Sequence, residues 1–277
     1  NAMRKIVMAP TSSLHSTTAQ QFRESAKFAR QLGIGLHSHL SETVDYLDAA
    51  KHKFAMTPVQ FCAEHDWVGS DVWFAHLVKL LPEEIKILGQ THTGIAHCPQ
   101  SNARLGSGIA DLVALEQAGM TISIGVDGAA SNEAADMLSE THAAWLMQRA
   151  RKGMLAVPQY DGGLFEGGAD AATIEDIVRW GTAGGAKVLG LDQVGTIEVG
   201  QQADFVLYQL DDPRYFGLHD IAIGPIASGG RAHIKAMFVA GKMVVQEDQI
   251  PDVDMKELAW QARQAVQLLQ QRTLQVA

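Results

Sequence analysis

The sequence predicts an α/β fold of parallel strands joined by crossover helices, followed by a small β unit and a C-terminal helix. Three observations predict it. Short apolar runs alternate with amphipathic stretches through the first two thirds of the 277 residues, and that rhythm calls for parallel strands with helical crossovers. Polar, chemically useful residues recur where the apolar runs stop. After Gly190 the texture changes to short β-like runs separated by glycine turns.

The elements follow in order. Lys5–Ala9 is an apolar run ending at Pro10, and Thr17–Leu32 is an amphipathic helix closed by Gly33. Ile34–Leu40 is a strand carrying His37 and His39, with His37 expected to face away from His39. Thr57-Pro58-Val59-Gln60 opens a helix, with Thr at the N-cap, Pro at the first helical position and Gln completing a capping box. Asp71–His76 is a buried strand, Pro82–Gly89 a short helix, Thr93–His97 a strand and Ile109–Ala118 a helix. Thr121–Val126 is a strand stopping at Asp127, Asn132–Arg151 a long helix, and Thr173–Val188 a helix with Thr173 and Asp176 in capping-box positions. Asp161–Asp170 reads as a mobile loop, because glycines order poorly. Farther on, Gly195–Gly200, Ala203–Tyr208, Ile234–Val239 and Met243–Gln246 are short strands, and Met255–Arg272 is a helix with apolar positions at Leu258, Ala262, Ala265, Val266 and Leu269.

Pro10, His39, His76, His97 and Asp127 all sit where predicted strands stop. A (β/α)8 barrel gathers its chemistry at the C-terminal ends of its strands. An open doubly wound sheet produces the same rhythm, and periodicity does not separate the two. The formal net charge of −9 argues against a nucleic-acid backbone as the main partner. The two cysteines, Cys62 and Cys98, do not make a disulfide scaffold, and a cytoplasmic location is expected. No apolar run approaches the ~20 residues of a membrane span. Asn1-Ala2 before Met3 reads as a tag scar and is left out of fold reasoning.

Each candidate residue has two readings when taken alone. His39 is a good ligand type for zinc or iron, and Glu42, three residues on, can turn back over the same site to shuttle a proton. The pair equally fits a buried histidine and a loop glutamate. His76 ends Phe74-Ala75-His76 and either orients the attacking water or packs as a hydrogen-bonded core residue. His97, in HCPQSN (97–102), lines a pocket or ties a loop carbonyl. Asp127, flanked by Gly, Ala and Ser, either binds a metal and takes a proton from water or makes a turn, with Asn132 capping the next helix. Asn102 and Ser131 suit a flat polar heterocycle, and with His97 they are read as substrate-binding; Arg104 is read as a contact to a loop carbonyl.

Together, His39, Glu42, His76 and Asp127 fall in order at the ends of successive strands. The runs MAPTS (8–12), HSHLSET (37–43), FAHLVKL (74–80), HCPQSNARLGSG (97–108), GVDGAASNE (125–133) and GTIEVGQQADFVLYQLD (195–211) resemble the amidohydrolase superfamily. The match is closest to its branch of 8-oxoguanine deaminases, guanine deaminases and triazine hydrolases. The resemblance implies the C-terminal part of a (β/α)8 barrel, about strands 4–8, over residues 1–190. It further implies part of a small β-sandwich over 191–250 and a C-terminal helix over 251–277. It implies one divalent metal, zinc or iron, held by His39 and Asp127, with His76 beside the hydrolytic water. It implies too that Glu42 protonates a ring nitrogen, that Asp127 takes the proton of water, and that hydroxide generated at the metal displaces ammonia from an aminated heterocycle such as 8-oxoguanine, guanine or a triazine.

The family's first-strand His-x-His pair has no counterpart upstream of MAPTS. The expectation is therefore a fragment that binds metal weakly or not at all by itself, since catalytic zinc normally takes three protein ligands. Its exposed sheet edges predict a homo-oligomer, a separate N-terminal chain or local rearrangement. Two rivals fall away. A cytidine-deaminase-type zinc site needs P-C-x-x-C, and Cys98 precedes Pro99 with no second cysteine nearby. A nucleotide enzyme needs a longer glycine loop than Leu105–Gly108. An inactive fragment or decayed paralogue, with a binding role or none, stays open.

Overall fold

The computed structural model describes residues 4–156 and 171–274. The chain divides into two compact units, one of residues 1–201 with 210–231 and one of residues 202–209 with 232–277.

The first unit is built on five parallel strands. β1 (Val7–Met8), β2 (Gly35–Leu40), β3 (Val72–His76), β4 (Gly94–His97) and β5 (Thr121–Ile124) lie side by side in sequence order. Every crossover steps one strand in the same direction, and right-handed connections then put their helices on one face. The order never reverses, so the sheet lacks the switch point of a doubly wound fold.

Crossovers carry α1 (Ala19–Gln31), α2 (Val44–Phe54), α3 (Pro58–Glu64), α4 (Pro82–Gln90), α5 (Pro99–Arg104) and α6 (Leu112–Gln117). α7 (Met137–Ala156) and α8 (Ile174–Arg179) follow β5. The caps behave as the sequence predicts: Thr18 with Gln21, Thr57 with Gln60 and Thr173 with Asp176 all form capping boxes. Leu36, Leu40, Val72, Phe74, Ile95, Ile122 and Ile124 form one buried core with Phe22, Phe61, Trp67 and Trp180.

Several boundaries differ from expectation. The helix expected from Asn132 begins at Met137, because Asn132 is buried and spends its side-chain amide on Val126 and Glu140 instead of a cap. Asp136 caps instead, accepting from Leu138 N–H at 3.0 Å. The helix expected over Thr173–Val188 is interrupted by a π turn at Trp180–Gly184 before α9 (Gly185–Val188). There Gly184 packs so closely on β5 that a Cβ would stand 2.1 Å from the Ile122 carbonyl. α2 and α5 were not foreseen, and Gly195–Gly200 forms turns in place of a strand. The loop expected over Asp161–Asp170 lies outside the described residues. Short α10 (Gly224–Ala227) also belongs to this unit.

The second unit is an antiparallel sheet of β6 (Phe205–Gln209), β7 (His233–Val239) and β8 (Lys242–Gln246), with α11 (Met255–Leu274) after it. Phe205 and Phe238 are register partners whose rings stack at 4.8 Å. Among the described residues, no helix is long and apolar enough to cross a membrane.

Candidate metal centre at the strand ends

The site begins with β2. Its residues alternate between half-buried Gly35, His37 and His39 and buried Leu36, Ser38 and Leu40. His37 and His39, two residues apart, therefore share a face, and their ring centroids are 6.1 Å apart. This corrects the expectation that His37 faces away. His37 is stacked on Trp73 at 5.3 Å and bonded through Nδ1 to the Trp73 carbonyl at 3.2 Å. Burial holds its pKa below the ordinary value against that bond, and His39 and His76 push it the same way.

The MAPTS segment seats His39. The Thr11 carbonyl accepts from His39 N–H at 3.3 Å and from ring Nδ1 at 2.5 Å. A carbonyl only accepts, so Nδ1 carries the proton and the Nε2 lone pair is left for another partner. A histidine ligating a metal is commonly oriented by such a bond through its other nitrogen.

His76 reaches the same place by a different route. Register pairs it with Leu40, on the helix-facing side of the sheet. Its φ of 75° and the φ of 46° at Leu77 are left-handed and break the alternation. The ring comes to 5.3 Å from that of His39. His76 is 1% exposed and its Nδ1 lies 2.8 Å from Asn102 Oδ1. The amide oxygen accepts, so here too Nε2 is the free nitrogen.

Asp127 follows β5 at another left-handed residue, φ 62°. Ser101 Oγ donates to its Oδ2 at 2.6 Å, and Ser131 Oγ lies 2.8 Å from Ser101 Oγ. Burial pushes the carboxyl's pKa up, but the Ser101 and Gly128 bonds and the nearby His76 and His39 outweigh it and hold the pKa below the usual range. His39, His76 and Asp127 each offer one ligand atom, all within 4.8 Å of one another. Two imidazole nitrogens with fixed tautomers and one ionised carboxylate fit a divalent cation such as zinc.

Glu42 stands beside this group. Its Oε2 is 3.6 Å from His76 Nε2 and its Oε1 accepts from the buried Ser107 hydroxyl at 3.1 Å. The structure thus brings together His39, Glu42, His76 and Asp127. Asn102 touches His76, and Ser131 touches the Asp127–Ser101 pair at 3.4 Å and 2.8 Å. His97 is fully buried, with no hydrogen-bond partner for either ring nitrogen among the described residues. Burial, with His76 nearby, holds its pKa down to about 3, so the ring is neutral. Arg104 pairs with Glu133 at 2.7 Å, a carboxylate where a loop carbonyl was expected.

Sequence reasoning missed Thr11, Ser101 and Ser107, which orient the site, although all three lie in the quoted motifs. It also missed Glu140, a fully buried acid on the first turn of α7 with no motif around it to mark it. Burial pushes the Glu140 pKa up to about 7 against the bonds from Gln100 and Asn132, and Asp127 and Asp136 push it further.

Residues 3–244 match the Amidohydrolase family. An isoxanthopterin deaminase from an unknown prokaryotic organism is 61% identical over 268 residues, covering 97% of this chain and 56% of that protein. The 8-oxoguanine deaminase of Pseudomonas aeruginosa is 36% identical, covering 96% of this chain and 55% of that protein. Among solved structures, a zinc-bound adenosine deaminase from Xanthomonas campestris superposes with a TM-score of 0.86 at 28% identity, covering 96% of this chain and 57% of that one. The chain spans about half the length of the curated relatives it matches.

Proposed function

We propose, from the premise that this chain belongs to the amidohydrolase family, that it carries the metal centre of a hydrolytic deaminase acting on an aminated heterocycle. The observation that carries the reading is the convergence of His39, His76 and Asp127 within 4.8 Å, with both imidazoles held in the tautomer that frees Nε2. On this reading the five strands are an arc of a (β/α)8 barrel, about its strands 4–8, with the site at their C-terminal ends. The 61% relative favours an aminopteridine such as isoxanthopterin over the aminopurines 8-oxoguanine and guanine or a triazine. A cytoplasmic homo-oligomer is part of the same reading.

A bound zinc would lower the pKa of a water molecule and supply a nucleophile near neutral pH. His39, His76 and Asp127 would hold it. Counting only His39 and Asp127, the sequence expects feeble binding; His76 brings the count to the three protein ligands that catalytic zinc sites use. Asp127, ionised at neutral pH, accepts the proton of the attacking water. Glu42, anchored by Ser107 and acting in its acid form, delivers a proton to the ring nitrogen next to the carbon attacked; the proton held by Asp127 passes to the amine, which leaves as ammonia, and the hydroxyl proton left on that carbon returns to Glu42 as the C=O forms. Asn102 keeps His76 in its tautomer. Ser131, half-buried beside Asp127, is the polar group available to a bound ring, while His97 and Asn102 are fully buried behind the site.

The test is a zinc titration of the chain in competition with a chromophoric chelator. One equivalent is expected to bind, and His39→Ala or Asp127→Asn to remove it. Ammonia release from isoxanthopterin, 8-oxoguanine and an aminotriazine then ranks the substrates, and Glu42→Gln is expected to abolish turnover while zinc stays bound. A wild-type chain that takes up no zinc sinks the proposal and favours the non-catalytic alternative.

A further inference from the structure

Glu140 stands outside every motif that marks the site. It is 0% exposed, on the first turn of α7, and it is one of two acids with no exposed surface among the described residues, Glu84 being the other. The Glu84 carboxylate accepts from the Val59 and Leu81 N–H groups, at helix starts away from the site. Burying a carboxylate is costly unless its bonds repay the lost hydration. Packing alone would be served better by an apolar side chain, so what Glu140 binds is informative.

Its two oxygens hold two different segments. Oε2 accepts from Gln100 N–H at 3.2 Å, at the start of α5. Oε1 accepts from the Asn132 amide, whose Nδ2 also donates to the Val126 carbonyl at 2.9 Å. Gln100 Nε2 adds a second clasp to Ser139 Oγ at 2.8 Å, next to Glu140 in the chain. From these anchor points two routes lead to the cation ligands. Val126 immediately precedes Asp127, whose left-handed backbone needs support from its surroundings to persist. Gln100 immediately precedes Ser101, which bonds the Asp127 carboxylate, and Asn102, which bonds the His76 ring. One buried carboxylate therefore connects to two of the three donors.

We propose that Glu140 is a positioning residue that locks α5 and the 126–132 loop together and so sets how tightly His39, His76 and Asp127 hold a divalent cation. This rests on the metal-site reading above. Both groups facing Glu140 are N–H donors, one to each carboxyl oxygen, so a carboxylate can accept from both at once. A glutamine at the same position offers one acceptor and turns an N–H toward the other donor.

The experiment measures zinc affinity of the full chain by chelator competition, beside its thermal melting, for wild type, Glu140→Gln, Asn132→Ala and His39→Ala. Removing an outer partner of a metal site typically weakens the metal about ten- to a hundredfold. That loss is expected for Glu140→Gln, with a smaller one for Asn132→Ala, which cuts only the loop arm. A purely structural role would lower the melting temperature and leave affinity alone. Wild-type affinity in both variants, with His39→Ala still abolishing binding, overturns this proposal but spares the metal site. Should Glu140→Gln fail to fold, Asn132→Ala decides by the same criterion. No zinc binding by wild type overturns the metal-site reading and this proposal with it.

Discussion

Where the strands begin, the sheet face opposite Leu36 and Leu40 carries His37, Trp73, Gly94 and Thr121 in one register row; where they end, it carries His39, Ala75, Ala96 and Ser123. The first row is filled by the Trp73 indole stacked on His37, with Val188 of α9 over Gly94. A Cβ on Gly94 would come within 3.0 Å of Trp73 Cβ, and one on Gly35 within 2.8 Å of the indole edge. The second row has small neighbours around His39, and just beyond it the backbone turns left-handed at Ser41, His76, Leu77 and Asp127. Each such turn costs a non-glycine residue about 1–2 kcal/mol. The contrast separates labour along one sheet: the starting ends contribute packing, while the finishing ends carry strain, buried polar groups and converging donors. Four measurements can break or sharpen it.

The largest expected effect lies at the finishing ends. Burial holds His97 down to about 3, below the ordinary 6.5 of a histidine. Between those values the unfolded chain takes up a proton that the folded chain refuses. Stability from this source is therefore intact above pH 6.5 and drains as pH falls toward 3, by about 4–5 kcal/mol at full extent. Urea unfolding across that range should show His97→Leu losing less stability than wild type. Parallel curves would mean that the ring is not buried neutral.

At the starting ends Trp73 is 7% exposed. Trp73→Ala should cost about 3–5 kcal/mol, as large-to-small core changes do, while the zinc stoichiometry of the folded protein stays the same. If zinc is lost while the fold persists, the two rows are not separable.

Much of this was legible in the residues, and what was not has physical reasons. Apolar periodicity located the five parallel strands, and the capping chemistry of Thr57, Pro58 and Gln60 located α3, because both are local properties. The ordering of His39, His76 and Asp127 at the ends of what are β2, β3 and β5 pointed to the cluster that they form. Sequence periodicity could not place His76 on the same side as His39, since the register argues against it and only the left-handed turn at 76–77 brings the ring round. Nor could it find Glu140, whose partners Gln100 and Asn132 are 40 and 8 residues away and meet it only through tertiary packing. The start of α7 was misplaced for a related reason: Asn132 looks like a helix cap in isolation and is taken by a buried carboxylate in the fold.

A smaller effect is expected from Asn102→Ala. It removes the acceptor that fixes the His76 tautomer and leaves His39, His76 and Asp127 themselves in place. Affinity should fall about ten- to a hundredfold, or about 1.4–2.7 kcal/mol. Chelator competition measures it, and an unchanged affinity would make the His76–Asn102 bond a packing contact like those at the other end.

The smallest effect belongs to Arg104, the one basic residue of the motif-bearing α5. Its bond to Glu133 is short, at 2.7 Å, but the side chains are 52% and 64% exposed. An ion pair that open to water and salt contributes well under 1 kcal/mol, because solvent screens the attraction and holding two long side chains costs entropy. Arg104→Ala should therefore shift the unfolding midpoint by no more than experimental scatter and leave zinc affinity unchanged. Substrate affinity is the sharper readout. If it stays constant, specificity resides in the buried polar groups around His76 and Asp127. A marked rise in KM with kcat preserved would place Arg104 on the substrate and extend the functional end of the sheet outward along α5.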